Sequence, residues 1–184
     1  MENFILLLIA CIMFFASNSF AENNNTIMLP DVVSSKWHNT EKVGEAKFKK
    51  FGLHIYDASY WSLRNKDSAG NASSATALSI AYAKNIRARR LLSSTYKEWQ
   101  RLGFAEEHPL DAWLELLEEI WPDVNKGDFI VFVNHSDGSN AFYSDSKFLG
   151  SVDDPEFGTA FLDIWLNINA KYKKHREELL GEND

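Results

Sequence analysis

Hydrophobic and polar positions alternate most persistently between Lys42 and Ser62, in KVGEAKFKKFGLHIYDASYWS. Phe48, Phe51, Leu53 and Ile55 supply one set of large apolar residues, and His54, Tyr56, Ala58 and Tyr60 alternate with them as another. A two-residue period places successive side chains on opposite faces of a sheet. Lys49-Lys50 breaks the alternation just before Gly52, and a glycine inside a strand pattern marks a bulge or bend. The stretch predicts two strands, or one kinked strand, with the two lysines near the bend. Thr76 to Ala83 alternates again, with Leu78, Ile80 and Tyr82 on one face and Ala77, Ser79 and Ala81 on the other. A face of small residues suits close approach by a neighbouring element. Phe129-Ile130-Val131-Phe132-Val133 is apolar throughout, as in a strand covered on both sides. Asp137-Gly138 signals a tight turn into a return strand at 140–144, and 147–152 predicts another short strand. Ile27 to Val33 predicts an edge strand interrupted by Pro30.

Between and after these strands the period changes to that of helices. Asn85 is placed to cap a helix running to about Leu102 and stopped by Gly103. Leu92, Thr95/Tyr96, Trp99 and Leu102 form its apolar stripe, and Arg87, Arg90, Ser94, Lys97 and Arg101 a basic one. A second helix starts at Pro109, carries Leu110, Trp113, Leu114, Leu117, Ile120 and Trp121 inward, and ends at Pro122. Asp111, Glu115, Glu118 and Glu119 make its acidic face. Asp153 to Glu156 starts a third helix with Phe157, Ala160, Phe161, Ile164 and Trp165 as its buried stripe, and a last, charged helix spans 171–180. Runs of strands beside runs of helices predict an α+β fold, an antiparallel sheet with helices on one face. No repeat or linker divides the chain, so a single domain is expected over 42–184, preceded by a segment at 22–41.

Composition and the amino terminus add a compartment. Phe4 to Phe15 is an apolar run followed by small residues, with Ser19 and Ala21 at the positions of a cleavage site. That is the pattern of a secretory leader over 1–21, although no Lys or Arg precedes the run. The run is too short for a spanning helix, so no stable membrane span is expected after cleavage. The expected location is periplasmic or secreted. Cleavage would remove Cys11, the only cysteine, leaving a domain stabilised by packing alone and unable to use cysteine ligands or a cysteine nucleophile. Six Trp and thirteen Phe supply large aromatic core residues. A net charge of −7 disfavours general nucleic-acid binding.

GEAKFKKFGLHIYDASYW, the helical pair ending in LEEIWPDVNKGD, the hairpin FIVFVNHSDGSNAFYSDSKFLGSV and PEFGTAFLDIWL together resemble the chalcone isomerase superfamily, and most nearly its bacterial exported, chalcone isomerase-like branch. The resemblance spans about residues 42–181 and rests on the order and spacing of these stretches. It implies an open-faced β-sandwich with a cleft between a large antiparallel sheet and its helices. The superfamily's plant enzymes cyclise chalcones with an arginine and polar Thr, Tyr and Asn side chains in that cleft. On alignment those places fall near His38 or Asn39, on Phe51, near Arg87 and Ser94, and on Ile164, and none is retained. The superfamily's fatty-acid-binding members hold a carboxylate with an arginine and a tyrosine at the first two places, which this chain also lacks.

The expected function is therefore a non-catalytic binder of a lipophilic small molecule, anionic and fatty-acid-like as one option, with Tyr56, Trp61, Tyr82, Arg87 and Arg90 as the candidate lining. Arg87, Arg89 and Arg90 near a helix start suit an anionic head group. The bland alternative is a solvated basic face paired with the acidic helix at 109–121. Lys49 and Lys50 either point into a cleft or protect a strand edge. A second reading is an isomerase or lyase acting on an unsaturated carbonyl compound, with His54 or Tyr82 as first choices for acid–base work. Against it, a half-buried structural histidine is the plainer account of His54. A third is a periplasmic accessory protein that docks a partner, not identifiable from sequence, through the acidic helix. His135 and Asp137 share a turn but lack metal-ligand spacing, the glycines form no phosphate loop, and no cofactor is expected.

Overall fold

The computed structural model describes residues 29–66, 72–144 and 147–182. The expected leader at 1–21 and residues 67–71 of the connection after the second strand lie outside them. Six antiparallel strands follow one another across a single sheet in chain order: β1 (Asn39–Lys50), β2 (Leu53–Lys66), β3 (Ala72–Tyr82), β4 (Phe129–His135), β5 (Asn140–Ser144) and β6 (Lys147–Gly150). The long alternating stretch resolves into two strands. They are joined at Phe51 and Gly52, both in the left-handed region with φ of 51° and 76°. The hairpin resets the alternation. Phe48 pairs with Tyr56 across the strands and stacks on it at 4.8 Å, the register shifts between Phe48 and Lys49, and Phe51 and Leu53 stand exposed at the tip.

The helices lie as the strand pattern demands. α2 (Ala88–Leu102), α3 (Leu110–Ile120), α4 (Phe157–Leu166) and α5 (Lys173–Leu179) cover the sheet face formed by Ala46, Ala58, Leu78, Ile80, Ile130 and Phe132. Burying that face is the main driving force for the arrangement. Phe132, Phe142, Phe157 and Phe161 interlock there with Trp99, Trp113 and Trp121. The Trp99 Nε1–H donates to the Ala160 carbonyl at 2.8 Å and the Trp113 Nε1–H to Asp154 Oδ2 at 2.9 Å, so neither indole is buried without a partner.

The opposite face corrects the expected edge strand over 29–33, residues 27 and 28 lying outside the described residues. Pro30 begins a single helical turn, α1 (Asp31–Ser34), not a strand interruption. Leu29 and Val33 sit on the small-residue face of β3, against Ala75 and Ala77, with Leu63, Val131 and Val133. The segment before β1 is thus a cover for the sheet, and β4 is buried on both sides as its unbroken apolar run requires.

Two local details position the helices. Asn85 does not cap α2: its Oδ1 accepts from the Lys126 N–H, and Asp123, on the strand-bound side of the excursion, accepts from the Ala88 N–H at 2.8 Å. Gly44 lies beneath α5, where a Cβ would press into the carbonyl oxygens of Glu178 and Leu179, so only glycine lets that helix settle on β1.

Candidate ligand-binding cavity

Helices packed on the sheet leave a cavity of about 840 Å³ among β1, β2, β3 and β4, α2, α4 and α5. That is within the range of small-molecule sites, roughly 300–1,000 Å³. Its interior is apolar. Leu78, Ile80, Ile130 and Phe132 rise from the sheet, and Leu91, Phe161, Ile164 and Trp165 close it from the helices. These positions follow from strand alternation and from one face of α2 recurring every three or four residues.

Polar groups are few inside and concentrated at the mouth. The Trp165 Nε1–H donates to the Tyr56 hydroxyl at 3.0 Å. Burial raises the Tyr56 and Tyr82 phenols well above their ordinary value, so both stay neutral. His175, from α5, is 7% exposed, stands edge-on to Phe48 and Tyr56 at 5.7 Å from each, and has no hydrogen-bond partner at Nε2. Burial lowers its pKa from 6.5 to about 4. At the mouth stand Lys50, Lys84, Arg87, Arg89, Arg90 and Lys171. Glu98 is the one carboxylate among the described lining residues, and it is engaged by Lys171 at 3.3 Å and Arg101 at 2.6 Å. Among the described residues the other five cations of the mouth pair with no carboxylate.

Of the sequence candidates, Tyr56, Tyr82, Arg87 and Arg90 line this cavity together. Trp61 does not. Tyr56 and Trp61 are an odd number of residues apart on one strand, so Trp61 falls on the far face, packed with the second core and donating to Ser59 Oγ at 2.8 Å. The arginines are not neutralised by the acidic helix, which corrects the paired-face alternative. Lys50 lines the mouth, whereas Lys49 does not. His54 is likewise outside the cavity. Its Nε2 lies 2.9 Å from Asp57 Oδ1, so of the two acid–base candidates only Tyr82 lines the cavity. Asp137 accepts from the Ser139 N–H and Oγ–H, and its neighbour His135 rests against Trp37. Of the positions where the superfamily's plant enzymes carry cleft residues, Arg87, Ser94 and Ile164 do line the cavity, while Phe51 is 93% exposed at the hairpin tip. Sequence reasoning missed His175 and Trp165 as lining residues. His175 and Leu179, four apart, are the buried positions of an otherwise charged helix, and that spacing was the available signal.

Known proteins bear on this geometry in three ways. A crystal structure of a fatty-acid binding protein from Arabidopsis thaliana superposes with a TM-score of 0.54 over 79% of this chain and 88% of that one, at 16% identity. A likeness that remote is one of fold. A Haemophilus influenzae protein, described only as uncharacterized, is 27% identical over 105 residues, which are 57% of this chain and 51% of that protein. The chain thus spans about half the length of that relative. The family model described as chalcone isomerase-like matches residues 22–181. With nearly the whole chain covered by that model and the open sheet and cleft in place, the protein belongs to the chalcone isomerase-like family.

Proposed function

We propose that the protein is a non-catalytic carrier of a lipophilic anion, holding a hydrocarbon body in the cavity and its charged head at the mouth. One observation carries this reading: an apolar chamber whose mouth has five cations without carboxylate partners among the described residues. A hydrocarbon chain gains roughly 0.8 kcal/mol per buried CH₂, and guanidinium groups suit a carboxylate through paired N–H donors. Tyr82, Tyr56, Arg87 and Arg90 are the proposed contacts. The name of the Arabidopsis neighbour is consistent with a fatty acid as ligand class. The reading also places the chain in the exported bacterial branch, with 1–21 removed and the domain of 42–184 working in the periplasm or outside the cell.

The test is direct. Purified protein is examined by native mass spectrometry for a co-purifying lipid, then titrated with a fluorescent long-chain fatty acid and with the alcohol of equal chain length. Saturable binding that favours the acid is expected. Failure of both to bind would end the proposal, and equal binding of both would remove the role of the cationic mouth. Amino-terminal sequencing of the cell-envelope fraction should begin at Glu22.

A further inference from the structure

The β1–β2 hairpin ends in an arrangement that packing does not explain. Phe51 is 93% exposed and Leu53 58% exposed, although both are large hydrophobic residues. Phe51 also has φ of +51°, a conformation that is unfavourable for a residue with a Cβ. Exposed apolar bulk held in a strained turn contributes nothing to the fold, and such strain persists where it serves a site. Lys49 and Lys50 precede it, the Lys50 ammonium 6.0 Å from the Phe51 ring. Lys50 also belongs to the mouth of the cavity. Across the mouth, Tyr172 is 41% exposed and touches Phe48 edge-on at 4.8 Å. In a chain of net charge −7, the exposed apolar residues of the hairpin tip thus adjoin, through Lys50, an opening rimmed by cations that are unpaired among the described residues.

We propose that this tip is a membrane-docking surface: Phe51 and Leu53 insert at the interface of a bilayer bearing anionic phospholipids, and Lys49 with the cations of the mouth holds the headgroups. The occupant is fixed by charge complementarity. A basic surface attracts anionic headgroups, and an aromatic wedge gains only if it reaches the acyl boundary. A protein partner would need a broad, shaped apolar patch, whereas two side chains on a narrow turn present a point of insertion. Docked this way, the cavity opens onto the membrane surface beside Lys50, which gives a lipophilic molecule a route that avoids water.

The experiment is vesicle flotation of the full protein, using phosphatidylcholine alone and phosphatidylcholine mixed with phosphatidylglycerol. Phe51→Ala and Lys49→Glu are compared with the unaltered protein; neither residue lines the cavity, and both are exposed, so folding is preserved. Association with the anionic vesicles is expected, weakened by about tenfold in Phe51→Ala and by roughly fivefold or more in Lys49→Glu. Added salt should weaken it further. No association with anionic vesicles, equal association with neutral ones, or Phe51→Ala floating like the unaltered protein would each overturn the proposal. Titration of both variants with the soluble fluorescent fatty acid keeps the two readings apart. Docking lost with titration intact supports the surface as proposed, while vesicle binding by a protein that takes no fatty acid would leave docking standing and remove the carrier function alone.

Discussion

Acidification from about pH 7 to about pH 4.5 separates the folded and unfolded states at one residue of the cavity wall, His175. In the fold its ring faces Phe48 and Tyr56, with no anion paired to it among the described residues, and burial holds its pKa near 4. Released into water, the imidazole returns to about 6.5. Between those values the unfolded chain binds the proton that the folded chain refuses. Stability is therefore fully present above about 6.5 and is lost as the pH falls toward 4. The span corresponds to about 3 kcal/mol in full, most of which is lost by pH 4.5, at 1.36 kcal/mol per unit. Carboxylates titrate in the same range, so the comparison is with His175→Leu. Urea melts of both proteins at several pH values give the two slopes. The unaltered protein should lose about 2–3 kcal/mol more than the variant over that interval. Parallel slopes would refute the account of His175 as a neutral, unpaired component of the wall.

Gly44→Ala forces a methyl group into the carbonyls of α5, and overpacking costs about 1–3 kcal/mol, read as a Tm lower by roughly 3–10 °C. Reversing Arg87 and Arg90 to glutamate should weaken binding of the fluorescent fatty acid by about tenfold or more while the matching alcohol is held as before. Trp61→Ala, on the far face of the sheet, should lower stability by about 2–4 kcal/mol and leave fatty-acid affinity unchanged; a fall in affinity without a fall in stability would contradict its placement. Trp165→Phe removes the donor to a buried phenol and should cost about 1–3 kcal/mol, with Tyr56→Phe in the same chain recovering part of it.

Much of the fold was legible because each face of each strand has a single environment. Leu78, Ile80 and Tyr82 lie on the helix side and Ala77 on the other, as period two requires, and 129–133 is covered on both sides. The pattern was misread where two elements meet. Alternation carried across Phe51-Gly52 grouped Phe48 with Phe51 and Leu53, which stand exposed at the tip, because a two-residue turn with a register shift beside it changes phase without announcing it. Trp61 was misplaced for a related reason: as an aromatic near Tyr56 it looked like lining, but its parity along β2 sends it away. The cap of α2 comes from Asp123, far along the chain, and no local signal in Asn85-Ile86-Arg87 could reveal it. Arg87 and Arg90 were recognisable as candidate lining residues, but whether the acidic helix neutralised them depended on tertiary placement.

The whole excursion from residue 83 to residue 128 leaves and rejoins the sheet through a narrow neck. Tyr82 exchanges backbone hydrogen bonds with Asp128 and Gly127, all at 2.8 Å, and Ile86 and Val124 exchange a reciprocal pair at 2.8 and 2.9 Å. Since β3 and β4 are already neighbours on either side of it, this neck behaves like the clasp of a detachable cassette. Replacing this segment would change α2, α3 and the arginines at the mouth while leaving the pairing of β3 with β4 in place. Grafting the 83–128 segment between family members is therefore the natural way to test how far the proposed binding depends on the helical cover rather than on the sheet.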